Sequence, residues 1–208
     1  MSSSKEIKYG FRMVHIDNIP YIKESGFVIH SSPIAYKDYK PIGDNGIIEK
    51  RKEKIINKTP LNQYIPFYFG PRTPMLYVIQ NGLNGVQQQD AESIVYCVIK
   101  IEDIIKDNDI QCLFSDGHAL DNLTEFYTKE YLCEVNQKIN YNDVYARYWI
   151  NESDRDLKRR KEAELLIKDK LDRKHICGYV VYNENAKLKL INFGINDKKI
   201  EIKPNYYF

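Results

Sequence analysis

Two glutamates spaced two apart, Glu162 and Glu164, sit where a basic run gives way to an apolar one, in Arg159-Arg-Lys-Glu-Ala-Glu-Leu-Leu-Ile167. On an extended chain both carboxylates point to one side. A carboxylate beside cations, at the mouth of an apolar strand, suits stabilisation of positive charge developing on a substrate. The same residues also fit a solvated helix, with Lys158–Glu162 and Arg160–Glu164 pairs at i,i+4. Arg51, in Glu49-Lys-Arg-Lys-Glu53, reads by itself as a charged helix end. Arg12 interrupts the strand-like Phe11-Arg-Met-Val-His15. A guanidinium there must pair or snorkel, which suits phosphate or carboxylate. His118, in Ser115-Asp-Gly-His-Ala119, reads as a turn histidine. There is no GxGxxG, Walker, GxSxG or HExxH signature. The histidines, at 15, 30, 118 and 175, lie far apart, so the pattern supports no metal site.

The elements that must position these groups follow from periodicity and turn residues. Ser93–Ile101 (SIVYCVIKI) is nearly all apolar and reads as a central strand buried on both faces. His175–Tyr182, Lys8–Val14, Phe27–His30, Ala186–Phe193 and Lys199–Pro204 read as further strands. Tyr64–Phe69 is β-prone, with Pro66 making it irregular or an edge. Asp17 or Asn18 caps a short helix that starts near Pro20 and ends at Gly26. Helical spacing over 142–150 places Tyr145, Tyr148 and Trp149 on one face, and 122–127 carries a similar pattern. Residues 31–63 are irregular apart from a short helix at 47–51, a length often seen in functional loops or lids. Strands mixed with short helices and no βαβ repeat indicate an α+β fold. No internal repeat or linker divides the 208 residues, so one domain over 1–208 is expected.

Composition narrows the function classes. Lys plus Arg is 31 and Asp plus Glu is 29, a net charge of +2, which excludes a histone-like basic coat. Nucleic-acid contact must come from a local patch. The cysteines, Cys97, Cys112, Cys133 and Cys177, form no CxxC pair and fit a reducing cytoplasm. No apolar run approaches a membrane span, and Met1–Glu6 lacks a signal-peptide core. Tyrosine stands out at 17, against 8 Phe. This is either compositional bias or the lining of a groove that stacks rings.

Read in order, several segments resemble one family. Arg12-Met-Val-His-Ile-Asp-Asn-Ile19, Ile42-Gly-Asp-Asn45 with Arg51, and Tyr64-Ile-Pro-Phe-Tyr-Phe-Gly-Pro-Arg-Thr-Pro-Met-Leu-Tyr77 are similar to the DarT toxins. So are Phe114-Ser-Asp-Gly-His118, Arg147-Tyr-Trp149, Lys161-Glu-Ala-Glu-Leu-Leu166 and the Tyr206-Tyr-Phe208 ending. These are bacterial DNA ADP-ribosyltransferases of toxin–antitoxin pairs. The resemblance implies the ADP-ribosyltransferase (PARP-like) fold, a split mixed β-sandwich with short peripheral helices that grips NAD in a cleft. It implies transfer of ADP-ribose from NAD to a base of single-stranded DNA with release of nicotinamide, and no metal.

The same resemblance assigns residues. Glu164 is the catalytic glutamate, facing the charge that develops as the nicotinamide–ribose bond breaks. Arg51 is the second essential residue, implicated in deprotonating the base. A guanidinium with a pKa above about 12 is a poor base, so diphosphate pairing or electrostatic help is physically easier. Arg12, Met13 and Val14 match the first NAD-binding strand, and Tyr21 and Ile29 match further NAD contacts. Arg12 stands where one branch of the family has His. Arg147, Arg159, Arg160 and Lys161 are expected to line a DNA groove, with His118, Tyr148 and Trp149 stacking bases. Glu162 replaces a common Gln and keeps protein arginine open as an alternative acceptor. A non-catalytic nucleic-acid-binding module of the same fold is the remaining alternative. The implied partner is an antitoxin with an ADP-ribose-removing macrodomain, and the implied location is the cytoplasm.

Overall fold

The computed structural model describes residues 5–208; the Met1–Ser4 start of the segment read above for a signal peptide lies outside the described residues. Strands β1 (Tyr9–His15), β2 (Phe27–Val28), β3 (Ile55–Ile56), β4 (Thr59–Pro60), β5 (Tyr64–Tyr68) and β6 (Ile94–Lys100) form the first half of the chain. Strands β7 (Cys112–Ser115), β8 (Phe126–Thr128), β9 (Glu164–Lys168), β10 (Lys170–Leu171), β11 (Ile176–Val181) and β12 (Ile200–Ile202) form the second. Helices α1 (Ile19–Ser25), α2 (Asn45–Glu53), α3 (Pro74–Asn81) and α4 (Ile101–Lys106) precede α5 (Val135–Lys138), α6 (Tyr141–Val144), α7 (Leu157–Lys161) and α8 (Glu184–Asn192).

Eight strands make one mixed sheet in the order β12-β11-β6-β1-β5-β9-β7-β8. Only β11 and β12 run parallel. The sheet nearly divides in its middle. β1 pairs with β6 along its whole length, but with β5 through Phe11 and Tyr68 alone. Continuing that register would set Met13 against Pro66, which has no N–H to donate. The Arg12 guanidinium instead crosses the gap, donating from Nη1 to the Pro66 carbonyl at 3.0 Å. This is the split that the fold class implies, and it leaves backbone groups of β1 past Phe11 with a neighbouring strand on one side only.

Strand alternation assigns each face to a core. Val14, Val95, Cys97, Ile99, Phe67, Leu165 and Ile167 face the largest core. Phe11, Ile94, Tyr96, Val98 and Val180 face a second. Leu113, Leu166 and Ala119 form a third. Glu164 shares the parity of Leu166, so its side chain leaves the main core and joins the opposite face of β9.

Three element predictions change. Residues 186–193 form helix α8, not a strand: Asn183 caps it from its side-chain oxygen to the Ala186 N–H, and Ala186 and Leu190 are the buried pair. The 142–150 helix stops at Val144, and Tyr145 turns inward to stack on Tyr141 at 4.2 Å, so Tyr145, Tyr148 and Trp149 share no helical face. Residues 122–127 are turn and the start of β8.

Candidate active site

Glu164 opens β9 and is only 1% exposed. Its Oε2 accepts from Arg51 Nη1 at 2.9 Å and its Oε1 accepts from the Ala119 N–H at 3.2 Å. Its own N–H donates to Ser115 Oγ at 3.2 Å, while the Ser115 hydroxyl donates to the Gly117 carbonyl at 2.7 Å. The carboxylate is therefore fixed in angle as well as place. A Cβ on Gly117 would lie 2.5 Å from Arg159 Nη1, so this turn tolerates nothing larger than glycine without a shift.

Arg51 comes from α2, a helix with no buried side chain, capped by Asp44 accepting from the Gly46 and Ile47 N–H groups. The Arg51 side chain is 11% exposed, and its Nη2 is buried with no hydrogen-bond partner among the described residues. Arg12 likewise leaves Nε buried and unpartnered, with its guanidinium over the Phe27 ring at 5.5 Å. Two cations with unspent donors face the region around Tyr68, the cross-strand partner of Glu164. Burial first, then the neighbouring Glu164 and Glu162, pushes the Tyr68 phenol well up, so it stays protonated. Unspent buried donors of this kind fit an anionic dinucleotide such as NAD.

A cleft of about 550 Å³ opens beside this pair. Arg51, Tyr68, His118 and Glu162 line its polar side; Ile47, Met75, Val78 and Leu123 line its apolar side. Leu123 is 75% exposed, a large apolar side chain held at the rim by a short turn. Burial lowers the pKa of His118 more than Glu164 raises it, so the imidazole is neutral near pH 7.

Glu162 is the C-cap of α7 rather than part of β9, so the two carboxylates do not alternate along one strand. Both are buried nonetheless. The Glu162 carboxyl is 8% exposed and makes no hydrogen bond or ion pair among the described residues. Burial raises its pKa to about 8; Glu164 adds to this, and Lys158 and Lys161 oppose it. A carboxyl raised in the folded state loses stability as pH climbs from its unfolded value, about 4.3, towards 8. Glu162→Gln is therefore expected to raise Tm over wild type at pH 8, with the gain vanishing near pH 4. Thermal unfolding across that range checks it; a gain that does not depend on pH would contradict it.

The expected DNA-binding cations fare unevenly. Lys161 has no exposed surface, so its assignment to a phosphate-binding face is corrected: its ammonium is spent on backbone carbonyls. Arg159 is held by Asp156 and Asp116, and Arg160 by Asp143, Asp154 and Asp156. The Arg160–Glu164 pair does not form, because the aspartates take Arg160 and Arg51 takes Glu164; Lys158 and Glu162 form no ion pair either. Arg147 and Tyr148 are exposed but outside the cleft lining. Trp149 packs edge-on against Tyr77 and Phe208.

Of the expected NAD contacts, Val14 points into the main core and offers only its backbone. Met13 packs on the opposite face. Tyr21 stacks on Tyr36 at 4.8 Å and donates its hydroxyl to the Ile34 carbonyl at 2.6 Å. The 31–40 loop thus lies against α1. Ile29 is half-buried against the main core. Sequence reasoning missed Ser115, Ala119, Tyr68 and Leu123. The first two follow from the Ser-Asp-Gly-His turn, whose polar turn residues must satisfy something buried; the other two carry no local signal.

The family described as "ssDNA thymidine ADP-ribosyltransferase, DarT" matches residues 11–208. The chain belongs to the DarT family. A DarT relative, the DNA ADP-ribosyl transferase of Escherichia coli O127:H6, is 32% identical over 184 residues, covering 86% of this chain and 83% of that protein. A DNA ADP-ribosyl transferase–DNA ADP-ribosyl glycohydrolase fusion protein from Thermosipho africanus is 28% identical over 95% of this chain, which spans 48% of the fusion. The structure of Thermus sp. 2.9 DarT in complex with ADP-ribosylated ssDNA superposes with a TM-score of 0.82 at 23% identity, covering 98% of each chain, and shows the same fold. Among the described residues, no cluster of His, Cys, Asp and Glu could hold a metal ion, and no helix is long and apolar enough to cross a membrane.

Proposed function

We propose that the DarT-family reaction, transfer of ADP-ribose from NAD to a base of single-stranded DNA, is carried here by the ion pair of Glu164 with Arg51, whose side chain lines the cleft. The observation that carries this reading is their buried ion pair, with one guanidinium nitrogen left free. Breaking the nicotinamide–ribose bond develops positive charge on the sugar. Glu164, fixed by Ala119 and Arg51 and shielded from water, faces that charge at low local dielectric and stabilises it more than the ground state. Arg51 pairs with the Glu164 carboxylate and offers Nη2 to the diphosphate or to a carbonyl of the base. It acts electrostatically, since a guanidinium does not give up its proton near pH 7.

Arg12 and the one-sided backbone of β1 support an NAD-binding role on the far side of Glu164, with Tyr21, Ile29 and the 31–40 loop beside them. The acceptor side is the apolar wall of Met75, Val78 and Leu123 facing Glu162 and His118. A neutral Glu162 favours an uncharged acceptor, a base, over a protein guanidinium. The thymine base of thymidine, the nucleoside in the family's description, is the acceptor proposed. Residues 1–208 are read as one DarT-like catalytic domain, acting in the cytoplasm where NAD and DNA meet. The fused glycohydrolase of the Thermosipho relative supports a macrodomain antitoxin as partner.

An NAD-cleavage assay separates this reading from a non-catalytic nucleic-acid-binding module. The chemical identity of the labelled acceptor separates it from a protein-modifying transferase. Because Arg159 and Arg160 are held by aspartates, the other cations along the cleft are Arg51, Arg155 and Lys158. The dependence of oligonucleotide affinity on salt is expected to be shallow, a log–log slope of about −1 to −3. Arg147→Ala is expected to flatten it by about 1 if Arg147 touches phosphate. A slope near zero would remove the phosphate contacts from the account.

A further inference from the structure

Lys161, the last residue of α7, is 0% exposed and has no carboxylate partner among the described residues. Burial, with Arg72 nearby, lowers its pKa to about 8. An ion pair does not offset that desolvation, and an apolar side chain of similar length would fill the space at lower cost. What the ammonium does instead is donate to two backbone carbonyls, Val144 at 3.1 Å and Pro71 at 3.3 Å.

Those carbonyls belong to two different elements, of which the first leads into the cleft. Pro71 lies in the 69–74 turn that launches α3, whose Pro74, Met75 and Val78 line the cleft. Val144 ends α6. Lys161 itself stands immediately before Glu162 and three residues before Glu164. The junction is tight: a Cβ on Gly70 would lie 2.0 Å from the Val144 carbonyl oxygen, and the Phe69 N–H donates to the Ala163 carbonyl at 3.2 Å.

We propose that Lys161 is a positioning residue for the DNA acceptor, its ammonium pinning the 69–74 turn and the end of α6 to the α7–β9 junction and so setting the width of the acceptor half of the cleft. The proposal rests on the assignment of that half to DNA. Arg12, Tyr21 and Ile29, on the NAD side, share none of these contacts. Losing Lys161 is therefore felt by one substrate and not by the other.

Lys161→Met keeps the length and removes the donors. Its KM for a single-stranded oligonucleotide is expected to rise at least about tenfold, with the KM for NAD changed by less than about threefold. Lys161→Gln, which keeps N–H donors, is expected to recover part of that loss. Both are assayed below their own Tm, with the oligonucleotide KM taken at saturating NAD, which stabilises the folded form by mass action, and the KM for NAD taken by varying NAD at a fixed oligonucleotide concentration. If Lys161→Met does not fold, Lys161→Gln decides on the same ratio of KM values. Equal losses for both substrates, tracking the fall in Tm, would make Lys161 merely structural and overturn the proposal; so would an unchanged oligonucleotide KM in a folded variant. Wild-type protein that cleaves NAD but leaves every oligonucleotide unmodified would overturn the functional reading instead.

Discussion

Glu164→Gln is expected to fold, and to lose both NAD cleavage and transfer to DNA by about 10³-fold or more. The fold survives because the amide has almost the shape of the carboxylate and Leu165, Leu166 and Ile167 keep their cores. It is weakened because Glu164 accepts from two donors, Ala119 N–H and Arg51 Nη1. An amide has one acceptor oxygen, so its NH₂ must confront one of those donors. A buried donor left unsatisfied costs about 1–3 kcal/mol. The rate loss is far larger than this, because the negative charge is what the transition state requires and the ground state does not. Rates of nicotinamide release and of label transfer, read beside thermal unfolding, check both parts. Activity within tenfold of wild type in a folded variant would contradict the role given to Glu164.

Arg51→Ala is the second large effect. It leaves the Glu164 carboxylate buried without its cation, a change that typically costs about 3–5 kcal/mol. It also frees α2, whose side chains are otherwise not buried. The residual rate, read as nicotinamide release, is expected at about 10²–10³-fold below wild type. Arg51→Lys restores one charge on Glu164 and so most of the stability. A single ammonium cannot also reproduce the planar fork that leaves Nη2 free, so its rate should fall between the two. An Arg51→Lys variant as inactive as Arg51→Ala would show that charge is not what Arg51 supplies.

How much of this was legible in the chain depends on the range of the forces involved. The strands at 94–100 and 176–181 announce themselves because both faces are buried and the apolar run is unbroken. Pro20 and Gly26 mark α1 because the ends of a helix are set locally. Residues 186–193 misled because lysines at 187 and 189 imitate a two-residue period, while the buried Ala186–Leu190 spacing is the one that packs. Glu164 and Arg51 lie 113 residues apart, so no spacing joins them; only the ordered resemblance of many short segments does. Lys161 and Glu162 looked solvated inside a charge run. Their burial follows from where the 69–74 turn and the end of α6 fall in space, which no local pattern records. Arg159 and Arg160 looked free because the Asp residues that hold them are spread from 116 to 156.

The central claim is that the Glu164 carboxylate, braced by Arg51, drives ADP-ribose from NAD onto a base. Wild type and Glu164→Gln incubated with NAD and a set of single-stranded oligonucleotides, followed by mass spectrometry of the released nucleosides, test it most directly. The account predicts one nucleoside, thymidine, carrying the added mass of ADP-ribose with the wild type and none with the variant. An unmodified nucleoside pool with wild type, or an equally modified pool with Glu164→Gln, would contradict it.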